Sequence, residues 1–341
     1  RSSDLSDSPT FRVKKTQGRS LAGWQRLAVE SYGGLALPSW LDRPLGLAGR
    51  VLVRTPRGME PRLVRSEGAV CVIPSLCVHF DEAHGKGRTL APASELQPVW
   101  AAEGTPTPAD WLAGQLGVEK EEILDADLTL FPLQPATLLG ESGLLLSPRI
   151  DDLECAFTSL MAFADAPAEQ QVNVYAMFDN EEVGSSTKQG AASTFLRDTL
   201  TRIAGALGID DAQLRALITR SMMVSADNAH ALHPNHQEKF DGENRVYMNE
   251  GVVIKYNANQ RYTTDGVSEA LFGLVCQRAG VPVQRFANRS DVAGGSTLGH
   301  IANTQVSMNT VDIGLAQLAM HSAYETAGVQ DVEYMIRALH A

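Results

Sequence analysis

Apolar and polar positions follow two different rhythms along the chain. Up to about residue 140 the apolar runs are short, as in Val51-Leu52-Val53 and Ala69-Val70-Cys71-Val72-Ile73. Turn residues such as Gly33-Gly34, Pro56-Arg57-Gly58 and Pro61-Arg62 separate them closely. Such runs read as strands, so this stretch predicts a small sheet or barrel-like unit, with helical patterns only at 106–116 and 119–123. From about Leu144 the texture changes. Residues 151–163 repeat apolar positions at helical spacing through Leu153, Ala156, Phe157, Leu160 and Met161. Strand-like runs at 172–178, 222–224, 252–254, 283–287 and 306–313 then alternate with helical patterns at 191–207, 211–220, 268–279 and 332–339. That alternation predicts an α/β fold with a mostly parallel sheet flanked by helices.

Length and charge narrow the picture. A chain of 341 residues suits two domains, or one domain with a large insertion. The formal net charge of −11 argues against nucleic acid or an anionic membrane as partner, while a local cationic pocket still suits an acidic substrate. No apolar run approaches the roughly 20 residues of a membrane helix. Residues 1–12 hold no apolar segment like that of a signal peptide. The four cysteines lack Cys-x-x-Cys spacing and read as reduced thiols, which predicts a cytoplasmic protein.

Candidate chemistry gathers where strands are predicted to end. Asp179-Asn180-Glu181-Glu182-Val183-Gly184-Ser185 follows one such run, Ser225-Ala226-Asp227-Asn228-Ala229-His230 follows another, and Asp151-Asp152 opens a helix. Sites of open α/β sheets form at the carboxyl ends of strands. Taken singly, a Glu-Glu pair is a solvated loop, Asp151-Asp152 is a helix cap, and His79 after Leu76-Cys77-Val78 is a core side chain. Taken together they suit a metal hydrolase. Such an enzyme needs carboxylate and imidazole ligands for Zn²⁺ and a neighbouring carboxylate as base. Asp151 has two oxygens with which to bridge two ions, and His321 offers a nitrogen.

The chain resembles the aspartyl aminopeptidase family of zinc metallopeptidases. The matching segments are Asp7-Ser8-Pro9, Tyr32-Gly33-Gly34 with Trp40-Leu41-Asp42-Arg43, Ile73 to His79, Ser147-Pro148-Arg149-Ile150-Asp151, Phe178 to Ser185, Ser225 to Asn235, Ile254 to Tyr262, Gly295-Ser296-Thr297-Leu298-Gly299, and Val311-Asp312-Ile313-Gly314 through Met320-His321-Ser322. They stand in family order over nearly the whole chain. The resemblance implies two zinc ions, with Asp151 bridging them, Glu182, Asp227 and His321 as ligands, and Glu181 as general base. It implies that His79 stands close to the metals, either as a ligand or polarising the scissile carbonyl. It places Lys255 on the substrate side, where an ammonium would pair with an acidic N-terminal side chain. His230 and Tyr262 are expected to line the pocket, and Asp7 to support the ligands.

The same resemblance implies a catalytic domain from 1–12 and 147–341, interrupted by a β-rich dimerisation domain at 13–146, in a large homo-oligomer. Gly294 and His300 look unusual around Gly295-Ser296-Thr297, and one further departure touches the metal site. Leu5 stands two residues before Asp7, where the family has a metal-binding histidine. One zinc is therefore expected to bind weakly. Two readings follow: an aminopeptidase releasing N-terminal Asp or Glu from peptides, or a non-catalytic oligomeric relative with a decayed metal site. The Gly294–Gly299 stretch lacks the Gly-Lys-Ser/Thr ending of a phosphate loop, which excludes that nucleotide-binding motif.

Overall fold

The computed structural model describes residues 2–14, 19–83, 86–167 and 171–341. The chain divides into two compact units. The first comprises Arg1–Ser8, Ala136–Met320 and Glu325–Ala341; the second comprises Pro9–Pro135 and His321–Tyr324.

The first unit is built on a six-stranded sheet. Its strands run in the spatial order Tyr175–Phe178, Ser2–Leu5, Met222–Ala226, Asn309–Gly314, Val252–Tyr256, Val283–Ala287. Every pairing is parallel except that between Val252–Tyr256 and Asn309–Gly314. The predicted α/β class, with a mostly parallel sheet, is therefore what the chain forms. The central strands are buried almost throughout, as helices on a parallel sheet require. One apolar cluster joins Ile254, Val311 and Ile313 to Phe272, Cys276 and Met335; another joins Leu5, Phe178 and Met223 to Leu196, Leu200 and Leu298. A second, five-stranded sheet runs Thr137–Leu138, Leu144–Ser147, Glu325–Gly328, Ala316–Leu318, Ala229–His230. Those pairings draw residues 136–147 into this unit.

The second unit carries an open antiparallel sheet, not a barrel. Its order is Val29–Tyr32, Thr10–Val13, Ile123–Pro132, Leu45–Thr55, Gly58–Arg65. Phe11 meets the buried Trp40 edge-on at 5.3 Å, and Leu45, Leu47, Val51, Val53, Leu128 and Leu130 complete the core. Gly49 is required where it stands, because a Cβ there would collide with the Asp127 carbonyl of the paired strand. The helix predicted at 106–116 forms as Pro108–Leu116. Thr107 and Asp110 cap each other at its start, and Gly117 closes it in the left-handed conformation.

Three local expectations give way to tertiary pairing. The run at 69–73 forms only isolated bridges, Leu45 to Cys71 and Val72 to Val99, because Leu45–Thr55 already has ladders on both sides. The helix expected at 119–123 shrinks to one 3-10 turn, Lys120–Glu122, since Ile123 begins a strand paired to Leu45–Thr55. The strand expected from 306 starts at Asn309, because Leu298–Gln305 forms a helix that reaches Val306. Among the described residues no helix is long and apolar enough to cross a membrane.

Candidate metal centre

Three neighbouring parallel strands explain why distant acids converge. Tyr175–Phe178, Ser2–Leu5 and Met222–Ala226 lie side by side, and Glu181-Glu182, Asp7 and Asp227 follow their respective carboxyl ends. The Glu181-Glu182 turn is pinned from within. Asn180 and Gly184, both left-handed at φ 64° and 92°, bracket a single 3-10 turn over Glu181–Val183. The Asp7 carboxylate accepts the Glu181 N–H at 3.1 Å and the Glu182 N–H at 3.3 Å. Asp7 thus holds the backbone from which both glutamates project, and it reaches them from about 174 positions away in sequence.

Asp151 and Asp152 begin the helix Ile150–Asp165, yet Asp151 is extended (φ −80°, ψ 117°) and so leaves the helical path. The buried Glu325 carboxylate accepts the Ile150 N–H at 2.7 Å and the Asp151 N–H at 3.2 Å, while the Ser8 hydroxyl donates to the Asp151 carbonyl at 2.6 Å. Both aspartates are buried. Asp227 pairs with the buried Lys255 at 3.0 Å, and the same ammonium donates to the Asn228 carbonyl at 2.8 Å. Lys255 also stands 5.5 Å from the centre of the Tyr262 ring, which packs edge-on to Phe286. His230 is exposed and meets Phe286 edge-on at 5.9 Å.

Burial governs the electrostatics. Desolvation pushes the Glu181 carboxyl up to about 8 and that of Glu182 to about 10, and neighbouring acids (Asp227, Asp151 and Asp7) reinforce both shifts. Asp152 is driven well above the usual carboxylate range by burial first, then by Asp151 and Asp227. Asp227 is also raised by burial, with Lys255 opposing. For Lys255 burial works downward as the largest single effect, but Asp227, Tyr262 and Asp312 together outweigh it and the ammonium is held more firmly than in water. Glu154, half-buried and hydrogen-bonded by Asn228 at 2.8 Å, is raised to about 8 by desolvation.

Each of two sets, Asp151-Asp152-Asp227 and Asp152-Glu181-Glu182, brings one oxygen per residue to within 4.8 Å of the others. Buried carboxylates at that spacing repel unless protons or a cation lie among them. Asp152 Oδ2 has no hydrogen-bond partner among the described groups. The donor set therefore fits a divalent metal ion. His321 belongs to the second unit, where its Nδ1 lies 2.6 Å from the Gly34 carbonyl. A carbonyl oxygen only accepts, so Nδ1 carries the proton and a neutral ring keeps its lone pair on Nε2, the tautomer used by metal-binding histidines. His79 is exposed in a turn of the second unit and joins none of the metal-competent groups among the described residues.

Four residues of this neighbourhood received no role from the sequence. Asp152 looks like a helix cap, and Glu154 and Glu325 carry no motif. Asp312 is fully buried and accepts from Ser225 Oγ (2.5 Å), Thr297 Oγ1 (2.7 Å), Thr263 N (2.5 Å) and Thr263 Oγ1 (2.6 Å), tying two loops and the neighbouring strand to its own. Replacing it leaves those donors unsatisfied. Asp312→Ala is expected to destabilise the protein by about 3–5 kcal/mol, read from the midpoint of urea unfolding; a loss below about 1 kcal/mol would show that water replaces the carboxylate.

Comparison with known proteins agrees with this geometry. The family model described as aminopeptidase I zinc metalloprotease (M18) matches residues 4–341. A probable M18 family aminopeptidase 2 of Mycobacterium bovis is 40% identical over 345 aligned residues, covering 98% of this chain and 79% of that protein. Its counterpart in Clostridium acetobutylicum is 40% identical over 338, covering 96% and 78%. Among solved structures, the cryo-EM structure of the Ape4 and Nbr1 complex superposes with a TM-score of 0.94 at 33% identity, covering 99% of this chain and 70% of that one. Yeast aminopeptidase 1 superposes at 0.84 and 29% identity, covering 99% and 78%. With a family model spanning nearly every residue and an acid cluster suited to metal at the strand ends, the chain belongs to the M18 family of zinc metalloproteases.

Proposed function

We propose that this chain is a metal-dependent aminopeptidase that prefers peptides with an N-terminal Asp or Glu. The observation that carries the proposal is the meeting of Glu181 and Glu182, on one turn held by Asp7, with Asp151, Asp152 and Asp227. Asp151, Glu182 and Asp227 are the residues that would hold the metal ions. Bound zinc supplies Lewis acidity, which acidifies water and polarises a carbonyl. Glu181 takes the proton of the attacking water and passes it to the departing amine nitrogen. Asp7 keeps Glu181 in register through the backbone N–H it accepts.

Lys255 supports the acidic preference. It is a buried cation beside the cluster, with Tyr262 against it and Phe286 and His230 beyond. If Asp227 served a metal ion, the Lys255 ammonium, held by the Asn228 carbonyl, would have a donor for a substrate carboxylate. The second unit carries the dimer contacts of a homo-oligomer; the yeast relative is described as a dodecamer. Four free cysteines suit the cytoplasm.

A second reading, a non-catalytic oligomeric relative, is favoured by one observation. Leu5 is fully buried among apolar side chains and offers no ligand. Metal-loaded protein assayed on Asp-peptide and Leu-peptide separates the two. Release of Asp at least about 10-fold faster than Leu supports the acidic aminopeptidase, and Lys255→Met is expected to erase that ratio. No release from either favours the non-catalytic reading.

A further inference from the structure

The ligand set just proposed gives no role to Asp152, although it belongs to both carboxylate groups of the first unit. We infer that Asp152 is itself a metal ligand, completing with Asp151 and Asp227 an all-carboxylate site that takes a hard divalent cation such as Mn²⁺ rather than Zn²⁺. This rests on the reading of the cluster as a metal centre and specifies which ion one half of it holds.

Three observations converge. Asp152 is 2% exposed, and its Oδ2 has no hydrogen-bond partner among the described groups. A carboxylate oxygen buried in that way is costly unless a positive charge meets it. The groups nearest to Asp152 are themselves carboxylates, those of Asp151 and Asp227, with one oxygen of each residue within 4.8 Å of the others. The Lys255 ammonium opposes them through Asp227. Three carboxylates against one ammonium leave a charge that a divalent cation balances.

The third observation concerns donor type. Zinc sites use imidazole or thiolate with carboxylate, whereas a purely oxygen donor set suits Mg²⁺, Ca²⁺ and Mn²⁺. Leu5, two residues before Asp7, contributes no nitrogen. Its side chain is fully buried in the cluster with Phe178, Leu196 and Leu298. Asp152 supplies the third donor that this position lacks, and it supplies oxygen. The other ion, on the Glu182 side of the cluster, remains zinc.

The test uses the full chain, stripped of metal, loaded with one equivalent of Zn²⁺ and then titrated with Mn²⁺. Electron paramagnetic resonance follows the loss of the free-ion signal. Asp152→Asn preserves shape and removes the charge. The expected result is Mn²⁺ uptake by the parent, uptake at least about 10-fold weaker in Asp152→Asn, and zinc binding unchanged within about 3-fold by calorimetry. Equal Mn²⁺ affinity in the variant overturns the inference and leaves the metal-centre reading standing. A parent that takes zinc but no Mn²⁺ also overturns it, and a parent that takes neither ion removes both. Electron spin-echo spectroscopy of the parent adds a measurement that needs no variant. Bound Mn²⁺ should show no nitrogen coupling, and a ¹⁴N signal from a directly bound imidazole overturns the all-carboxylate site.

Discussion

Glu181→Gln is expected to lower turnover by about 10²–10⁴-fold while leaving metal content unchanged. The amide keeps the size of the carboxylate and still accepts hydrogen bonds, but it takes no proton from water at working pH. The backbone N–H of residue 181 still binds Asp7, so the turn that carries Glu182 keeps its shape. A change confined to kcat, with KM within about 3-fold, is the signature of a group used in the transition state. Metal analysis of the same preparation is the control. Turnover preserved in Glu181→Gln would remove it from the proton path, and turnover lost together with the metal would make it a ligand.

The second large effect is on stability. Metal-free protein is expected to lose thermal stability as pH rises from about 5 to 9, and added metal should protect more at the alkaline end. Desolvation raises Glu154 and Glu181 to about 8 and Glu182 to about 10, against an ordinary glutamate value of 4.5 in the unfolded chain. Between about 4.5 and 8 the native state therefore holds more protons than the unfolded state. Unfolding then becomes easier with each rise in pH. The stability is fully present below the unfolded value and is lost as pH climbs through the folded values. Metal ions bind the ionised carboxylates and so reverse the slope. Differential scanning fluorimetry with chelator, at pH 5.5 and 8.5, should show a fall in Tm of about 10 °C, at roughly 2–4 °C per kcal/mol for a domain of this size. A flat or rising Tm in chelator would mean that the acids share their charge with water and are not buried as described.

Much of this protein was legible in one dimension. The alternation of period-2 and period-3.6 apolar patterns after Leu144 gave the parallel sheet, and Val283–Ala287 matched its predicted bounds. Asp151, Glu181, Glu182 and Asp227 stood out because each follows a strand or opens a helix, and Glu181-Glu182 lie in a turn bracketed by Asn180 and Gly184. Those signals are local, and sequence carries local signals well. The pattern at 69–73 misled for the opposite reason. Its residues are as strand-like as those at Leu45–Thr55, but a ladder needs an available edge, and that depends on what other strands have already paired.

The amino-acid order by itself determined the fold class, the strand-end placement of the acids and the absence of a histidine at Leu5. Only the tertiary structure decided what those residues do for one another. It showed that Asp7 clamps the Glu181-Glu182 turn, that Glu325 holds Ile150 and Asp151, that Lys255 is committed to Asp227, and that Asp152 lies among carboxylates. These partners lie far apart along the chain. Hydrogen bonds and desolvation act over a few ångströms of space, and no pattern along the chain encodes which distant backbone a carboxylate will meet.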